Sequence, residues 1–134
     1  MVQKLWSKSW KSSVQRRKQR KYNHNAPLHI RHKMIASPLS SELKTKYKIG
    51  AVPLKVGDTV KVMRGSSKNK VGKVSRVSLA KLRAFVEGVE VARADGSKAL
   101  YPTHPSNLMI TKLDLKDDKR KEKLRGLLRN KNGK

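Results

Sequence analysis

The chain has no cysteine, one phenylalanine and only nine acidic residues among its 134. Without Cys there are neither disulfides nor thiolate zinc sites, and reducing and oxidising compartments are equally compatible with that absence. Aromatic residues make up 4% and hydrophobic residues 36%, enough for one small domain and little more. No apolar run approaches the roughly 20 residues of a membrane-spanning helix. The N-terminal stretch lacks the apolar core of a secretory signal. It is acid-poor and contains Arg and Ser, a composition that suits an organelle transit peptide or a basic binding arm. The scarcity of carboxylates also leaves catalysis little to use. No Ser/His/Asp set, no paired carboxylates and no phosphate-cradling loop presents itself, so neither an enzyme nor a cofactor is expected.

What the chain has in excess is positive charge. Lys and Arg number 34, for a formal net charge of +25. Residues 1–55 hold fourteen basic side chains against one acidic, residues 56–113 eleven against four, and residues 114–134 nine against four. The first acidic residue is Glu42. A segment of that kind cannot neutralise itself and is suited to meeting an anion, nucleic acid first and an anionic membrane second. A membrane-surface helix needs a broad apolar face. Leu124, Leu127 and Leu128 form only a narrow one, so a membrane is not expected as a partner.

Four segments are predicted. Residues 1–36 read as an extended basic arm with too little apolar surface to fold alone. Within it, Arg16-Arg17-Lys18-Gln19-Arg20-Lys21 concentrates charge, and Tyr22-Asn23-His24-Asn25-Ala26-Pro27 favours turn or extended backbone. Trp6 and Trp10 are spaced to share a helix face, although the intervening and following serines weaken a helix there. Residues 37–50 read as a short helix and connector. Ser37-Pro38 provides a helix start, Leu39 and Leu43 seat one face, and Ile49-Gly50 ends it. Residues 51–115 carry short β-type runs at Thr59–Met63, Val71–Leu79, Phe85–Val91, Lys98–Tyr101 and Leu108–Leu113. The apolar positions of the second run change parity, which predicts a bulge, and Ala94-Asp95-Gly96-Ser97 signals a hairpin. Such strands fit a small barrel closed to avoid exposed edges, with Phe85 in its core. Residues 116–134 read as a basic helical tail that starts near Asp117 or Asp118.

Residues 56–77, Val-Gly-Asp-Thr-Val-Lys-Val-Met-Arg-Gly-Ser-Ser-Lys-Asn-Lys-Val-Gly-Lys-Val-Ser-Arg-Val, carry the most information. Gly57-Asp58 turns the chain into a strand, and Asp58 reads as structural. The alternating valines bury one face. Gly65 permits a loop conformation that a Cβ opposes, and Gly72 permits a bend or the close approach of another backbone. Lys61, Arg64, Lys68, Lys70, Lys73 and Arg76 are then displayed outward, where phosphates can reach them.

This segment resembles the KOW motif of ribosomal proteins and transcription elongation factors. The motif implies an SH3-like barrel and RNA or RNA polymerase as partner. The flanks are more selective. Lys18-Gln19-Arg20-Lys21, Asn25-Ala26-Pro27-Leu28-His29, Ser37-Pro38-Leu39-Ser40, Val86-Glu87-Gly88-Val89, Ala94-Asp95-Gly96 and His104-Pro105-Ser106-Asn107-Leu108 resemble the archaeal and eukaryotic branch of one family. That family is the large-subunit ribosomal protein numbered twenty-four in bacteria and twenty-six in eukaryotes. The resemblance spans roughly residues 16–118 and leaves the first fifteen residues, with both Trp, unplaced. It implies a cytoplasmic ribosomal protein that binds the 5′ region of large-subunit ribosomal RNA early in assembly. It also implies a position near the nascent-chain tunnel exit, with ribosomal-protein neighbours and no homo-oligomer. An elongation module bound to polymerase is the alternative, but it calls for an additional α/β domain that this length does not hold.

The expected RNA contacts are Arg16, Arg17, Lys18, Arg20, Lys21, Tyr22, His24, His29, Arg31, His32 and Lys33 in the arm. In the barrel they are Lys61, Arg64, Lys68, Lys70, Lys73, Arg76, Lys81 and Arg83. Arg carries extra weight because its planar fork engages phosphate through two hydrogen bonds. His24, His29 and His32 lack Cys or nearby carboxylates as co-ligands, so stacking or hydrogen bonding to RNA is favoured over a metal. Tyr22 suits stacking on bases or packing on the barrel equally well.

Overall fold

The structure, a computed structural model, describes residues 6, 7, 10 and 13–132, with the backbone alone for 130–132. The remaining residues of the arm and tail, including residues 8 and 9 between the two tryptophans, lie outside the described residues.

The five strands predicted from β-branched alternation are present as one antiparallel sheet. The motif contributes β3 (Thr59–Val62) and β4 (Val71–Ser78), followed by β5 (Arg83–Ala92), β6 (Lys98–Thr103) and β7 (Leu108–Lys112). Two short strands precede them, β1 (Ala36–Pro38) and β2 (Ala51–Pro53), paired antiparallel with each other. In the main sheet the order is β6-β5-β4-β3-β7. The expected closed barrel is not formed: β6 and β7 are separate edges. Leu39 bridges Ile110 at the β7 edge, and Ser40 N donates to Ile110 O at 2.9 Å, so the β1 side of the chain shields that edge. The β6 edge has no strand partner among the described residues.

Irregularities in β4 and β5 bend the sheet. Register shifts between Val74 and Arg76, which pair with Val86 and Phe85, so Ser75 is the extra residue of the predicted bulge. Ser75 Oγ donates to Phe85 O at 3.1 Å and fixes it. In β5 the buried positions pass from Ala84 and Val86 to Val89, a parity change at Gly88, whose φ is +83°. A β-carbon on Gly72 would overlap the Glu87 carbonyl oxygen, so this glycine is the close-approach point between β4 and β5. Leu39, Leu54, Val60, Val62, Val74, Val86, Leu108 and Ile110 form the buried core. Phe85 is not part of it. It lies half-buried on the outer face with the Arg76 guanidinium 5.4 Å from its ring centre.

Ser37-Pro38 does not start a helix. Ser37 pairs with Val52 in the small ladder and is fully buried, its hydroxyl donating to Pro105 O at 2.6 Å. The helix begins after Ser40 as α3 (Ser41–Tyr47) and ends at Lys48, whose left-handed φ is +53°. The arm also differs from the expected extended chain. It contains α1 (Arg16–Asn25) and α2 (Leu28–Met34). Arg, Lys and Gln are good helix formers, and their propensity prevails in the charged block. The break at Ala26-Pro27 follows from the restriction that Pro places on the residue before it. Ile35, at the end of the arm, is fully buried and anchors it to the domain.

The tail forms α4 (Asp118–Asn132), with Asp117 Oδ1 accepting from Lys119 N at 3.0 Å at its start. Leu124 enters the core. One turn earlier Arg120 is 5% exposed and reaches Asp58, which is fully buried. Its Nη1 and Nη2 donate to the two carboxylate oxygens at 2.6 and 2.7 Å. The same two nitrogens donate to Asp114 O and Pro53 O. Asp58 also accepts from Lys55 N at 3.0 Å and Asp114 N at 2.9 Å. Replacing Arg120 by Met strands a buried carboxylate and is expected to cost about 3–5 kcal/mol in urea unfolding. In a double-mutant cycle the loss for Asp58→Asn with Arg120→Met is expected to fall short of the sum of the single losses. Additive losses would show that the pair is not coupled.

Candidate nucleic-acid interface

The expected contacts fall into two exposed groups and a set that serves the fold. In α1, Arg16, Arg17, Lys18, Arg20 and Lys21 are all exposed, and the helix has no buried residue and no acid in its first turn. The second group follows the motif. Lys61 is half-exposed on β3, and Arg64, Lys68 and Lys70 stand on the loop after it. Lys73 and Arg76 point away from the core on β4, and Lys81 lies in the following turn. None of the expected Lys and Arg contacts forms an ion pair among the described residues. Lys70 makes only a long contact, 3.4 Å, to Gly88 O.

Arg31 is different. Its guanidinium donates to Ala26 O at 3.0 Å, to Ala80 O at 2.8 Å and to His24 O. It ties the C-terminal end of α1 to the turn between β4 and β5, where a cation also complements the helix dipole. The fork is thus taken up by protein carbonyls. Tyr22 is also engaged: the Trp10 ring stacks on it with centroids 4.5 Å apart, and Trp6 lies at 5.2 Å. His29 and Lys33 are exposed on α2. The His24 ring approaches Asn25 Oδ1 at 3.4 Å. His32 turns to an apolar groove of about 270 Å³ shared with Leu124 and Leu127. The three histidines are not gathered with each other or with acids into a metal cluster among the described residues.

The four motif residues lie along the turn into β3, the loop after it and β4. Gly57 and Gly65 both have φ of +95°, Asp58 holds Arg120, and Gly72 meets β5. Around Gly65 the loop faces the end of β6 and the short 3-10 turn Pro105–Asn107. Here Arg64, Ser66, Arg83, Tyr101, His104 and Asn107 line a cleft of about 360 Å³. Sequence reasoning included Arg64 and Arg83 but missed the other side of the cleft. The His104-to-Leu108 stretch stood out only through family resemblance, and nothing in it announces a wall of a site. Within the cleft, partial burial first and the charge of Arg83 second push the His104 imidazole below its ordinary value of 6.5. Its Nδ1 accepts from Ser106 N at 3.2 Å.

A family model that describes the eukaryotic ribosomal proteins L26 and the archaeal ribosomal proteins numbered twenty-four matches residues 13–126. The match takes in both cationic groups, the whole sheet and most of α4. Trp6 and Trp10 fall before it. No helix among the described residues is long and apolar enough to cross a membrane.

Two outcomes test these local assignments. Both tryptophans of the chain contact Tyr22, so Tyr22→Ala is expected to shift the intrinsic Trp emission to longer wavelength; an unchanged spectrum rejects the cluster. His104 is neutral-favouring in the fold. Its contribution is therefore fully present above the ordinary imidazole pKa and is lost as pH falls below 6.5 through the lower folded value. By NMR its titration midpoint is expected below that of a free imidazole and closer to it in Arg83→Gln.

Proposed function

The chain belongs to the family of eukaryotic L26 ribosomal proteins and their archaeal counterparts numbered twenty-four, and on that premise we propose that it binds the 5′ region of large-subunit ribosomal RNA. On this reading binding is early in assembly, and the protein stays near the nascent-chain tunnel exit beside other ribosomal proteins. The family makes it a structural constituent of the large subunit of cytoplasmic ribosomes. It acts as a scaffold with no reaction of its own.

One observation supports the RNA reading above others: the exposed cations of α1 and of the motif loop have no acidic partners among the described residues. Phosphate is the group that satisfies them. The first turn of α1 begins with Arg16 and Arg17, cations at the positive end of the helix dipole, and a phosphate placed there removes that conflict. Affinity is then dominated by the RNA backbone. Recognition is mainly by shape, because A-form grooves offer side chains little base information. The sheet positions the loop, and Arg31 orients α1 relative to it.

Cutting the chain at Ser37 would remove Ile35 and Arg31, which serve the fold, so substitution of α1 charges is the cleaner test. With Arg16, Arg17, Lys18, Arg20 and Lys21 replaced by Gln, binding to a 5′ large-subunit RNA fragment is expected to weaken. Its log K against log salt is expected to be shallower by about 0.7–0.9 per lost phosphate contact. Other large-subunit fragments are expected to bind more weakly than the 5′ fragment. Equal binding to every fragment, with no change in slope, argues against the proposal.

A further inference from the structure

Aromatic rings are scarce here, and most of those described are already engaged. Trp6, Trp10 and Tyr22 stack together, Phe85 lies under Arg76, and Tyr47 packs on the core with Lys46 5.5 Å from its ring. Among the described residues Tyr101 has neither an aromatic nor a cationic partner of this kind, and it is 52% exposed on the edge strand β6. It lines the cleft of about 360 Å³ together with Arg64 and Arg83. Among the described residues no acidic side chain lines that cleft, and Ser66 and Asn107 bring a hydroxyl and an amide to it. The combination of two cations, a free ring face and small polar groups matches one nucleotide more closely than it matches a paired helix. A helix offers phosphates but buries its base faces. An unpaired nucleotide offers both.

Resting on the RNA-binding reading above, we propose that this cleft takes a single unstacked nucleotide of a bulge or loop. Its base lies on the Tyr101 ring and its phosphate meets the Arg64 and Arg83 guanidinium groups. The protein thereby gains what a surface of phosphate contacts lacks, a preference for one irregular point along an RNA helix. Phosphate contacts set how tightly the chain binds, and the cleft sets where it stops. His104 belongs to the same wall. Arg83 lines it as well, on the same side of β5.

The test uses the full chain and two labelled RNA hairpins of equal length, one fully paired and one with a single bulged nucleotide, followed by fluorescence anisotropy at fixed salt. The wild-type protein is expected to prefer the bulged hairpin by about tenfold, within the range one stacked base supplies. Tyr101→Ala is expected to abolish that preference, while Tyr101→Phe retains it. Arg64→Gln is expected to weaken both complexes. Far-UV circular dichroism verifies that the variants fold, which half-exposure of Tyr101 favours. A preference that survives Tyr101→Ala overturns the proposal. So does a wild-type protein that binds both hairpins equally, the result for a cleft that serves a protein neighbour; salt-dependent binding would then leave the broader RNA reading intact. Absence of salt-dependent binding to either hairpin overturns both readings.

Discussion

The bidentate pair between Asp58 and Arg120 is the contact through which three parts of the chain are joined. Asp58 belongs to the turn that enters the sheet, Asp114 follows the last strand, and Arg120 comes from the tail helix. A carboxylate and a guanidinium taken out of water are costly unless nearly every hydrogen-bonding site is met. Here the carboxylate accepts four bonds and the terminal nitrogens of the fork donate four. Removing either partner therefore loses more than one bond. It leaves a charge in a place shaped for a pair. The position of α4 against the sheet, and with it the burial of Leu124, depends on that match.

This arrangement separates two uses of the same residue type. Arg120 and Arg31 turn inward to carboxylate and carbonyl oxygens and hold elements together. Arg16, Arg17, Arg20 and Arg64 turn outward and find no anion among the described residues. In a chain of net charge +25, mutual repulsion among the second group weakens the free protein. The first group supplies part of what resists it.

The strands of the sheet were legible because alternating valines, the bulge at Ser75 and the turn at Gly96 are local signals. Gly57, Gly65 and Gly72 were legible for the same reason, each conformation being tied to a short motif. What was hidden depends on distance along the chain. Nothing in Lys119-Arg120-Lys121 marks the middle residue as buried, because its partner lies far upstream at Asp58. Ser37 reads as a helix cap in isolation, and only the Pro105 carbonyl, brought near by the fold, makes it a strand residue. The arm was read as extended from its lack of apolar surface, whereas the intrinsic helix preference of Arg, Lys and Gln acts without a core. The cleft at Tyr101 joins three segments, and only the loop carrying Arg64 had a pattern that announces an RNA contact.

Among the described residues the sheet stays open along β6, which has a consequence for the molecule before it meets an anion. An unpaired strand edge is a template for another edge, the usual route to intermolecular β-pairing. Lys98 and Pro102 stand on this edge and obstruct such pairing locally, and the overall charge keeps two copies apart at longer range. A polyanion that neutralises the arm without covering β6 removes the long-range barrier and leaves only the local one. The net charge that opposes pairing of two such edges is thus the same charge that a bound polyanion would cancel.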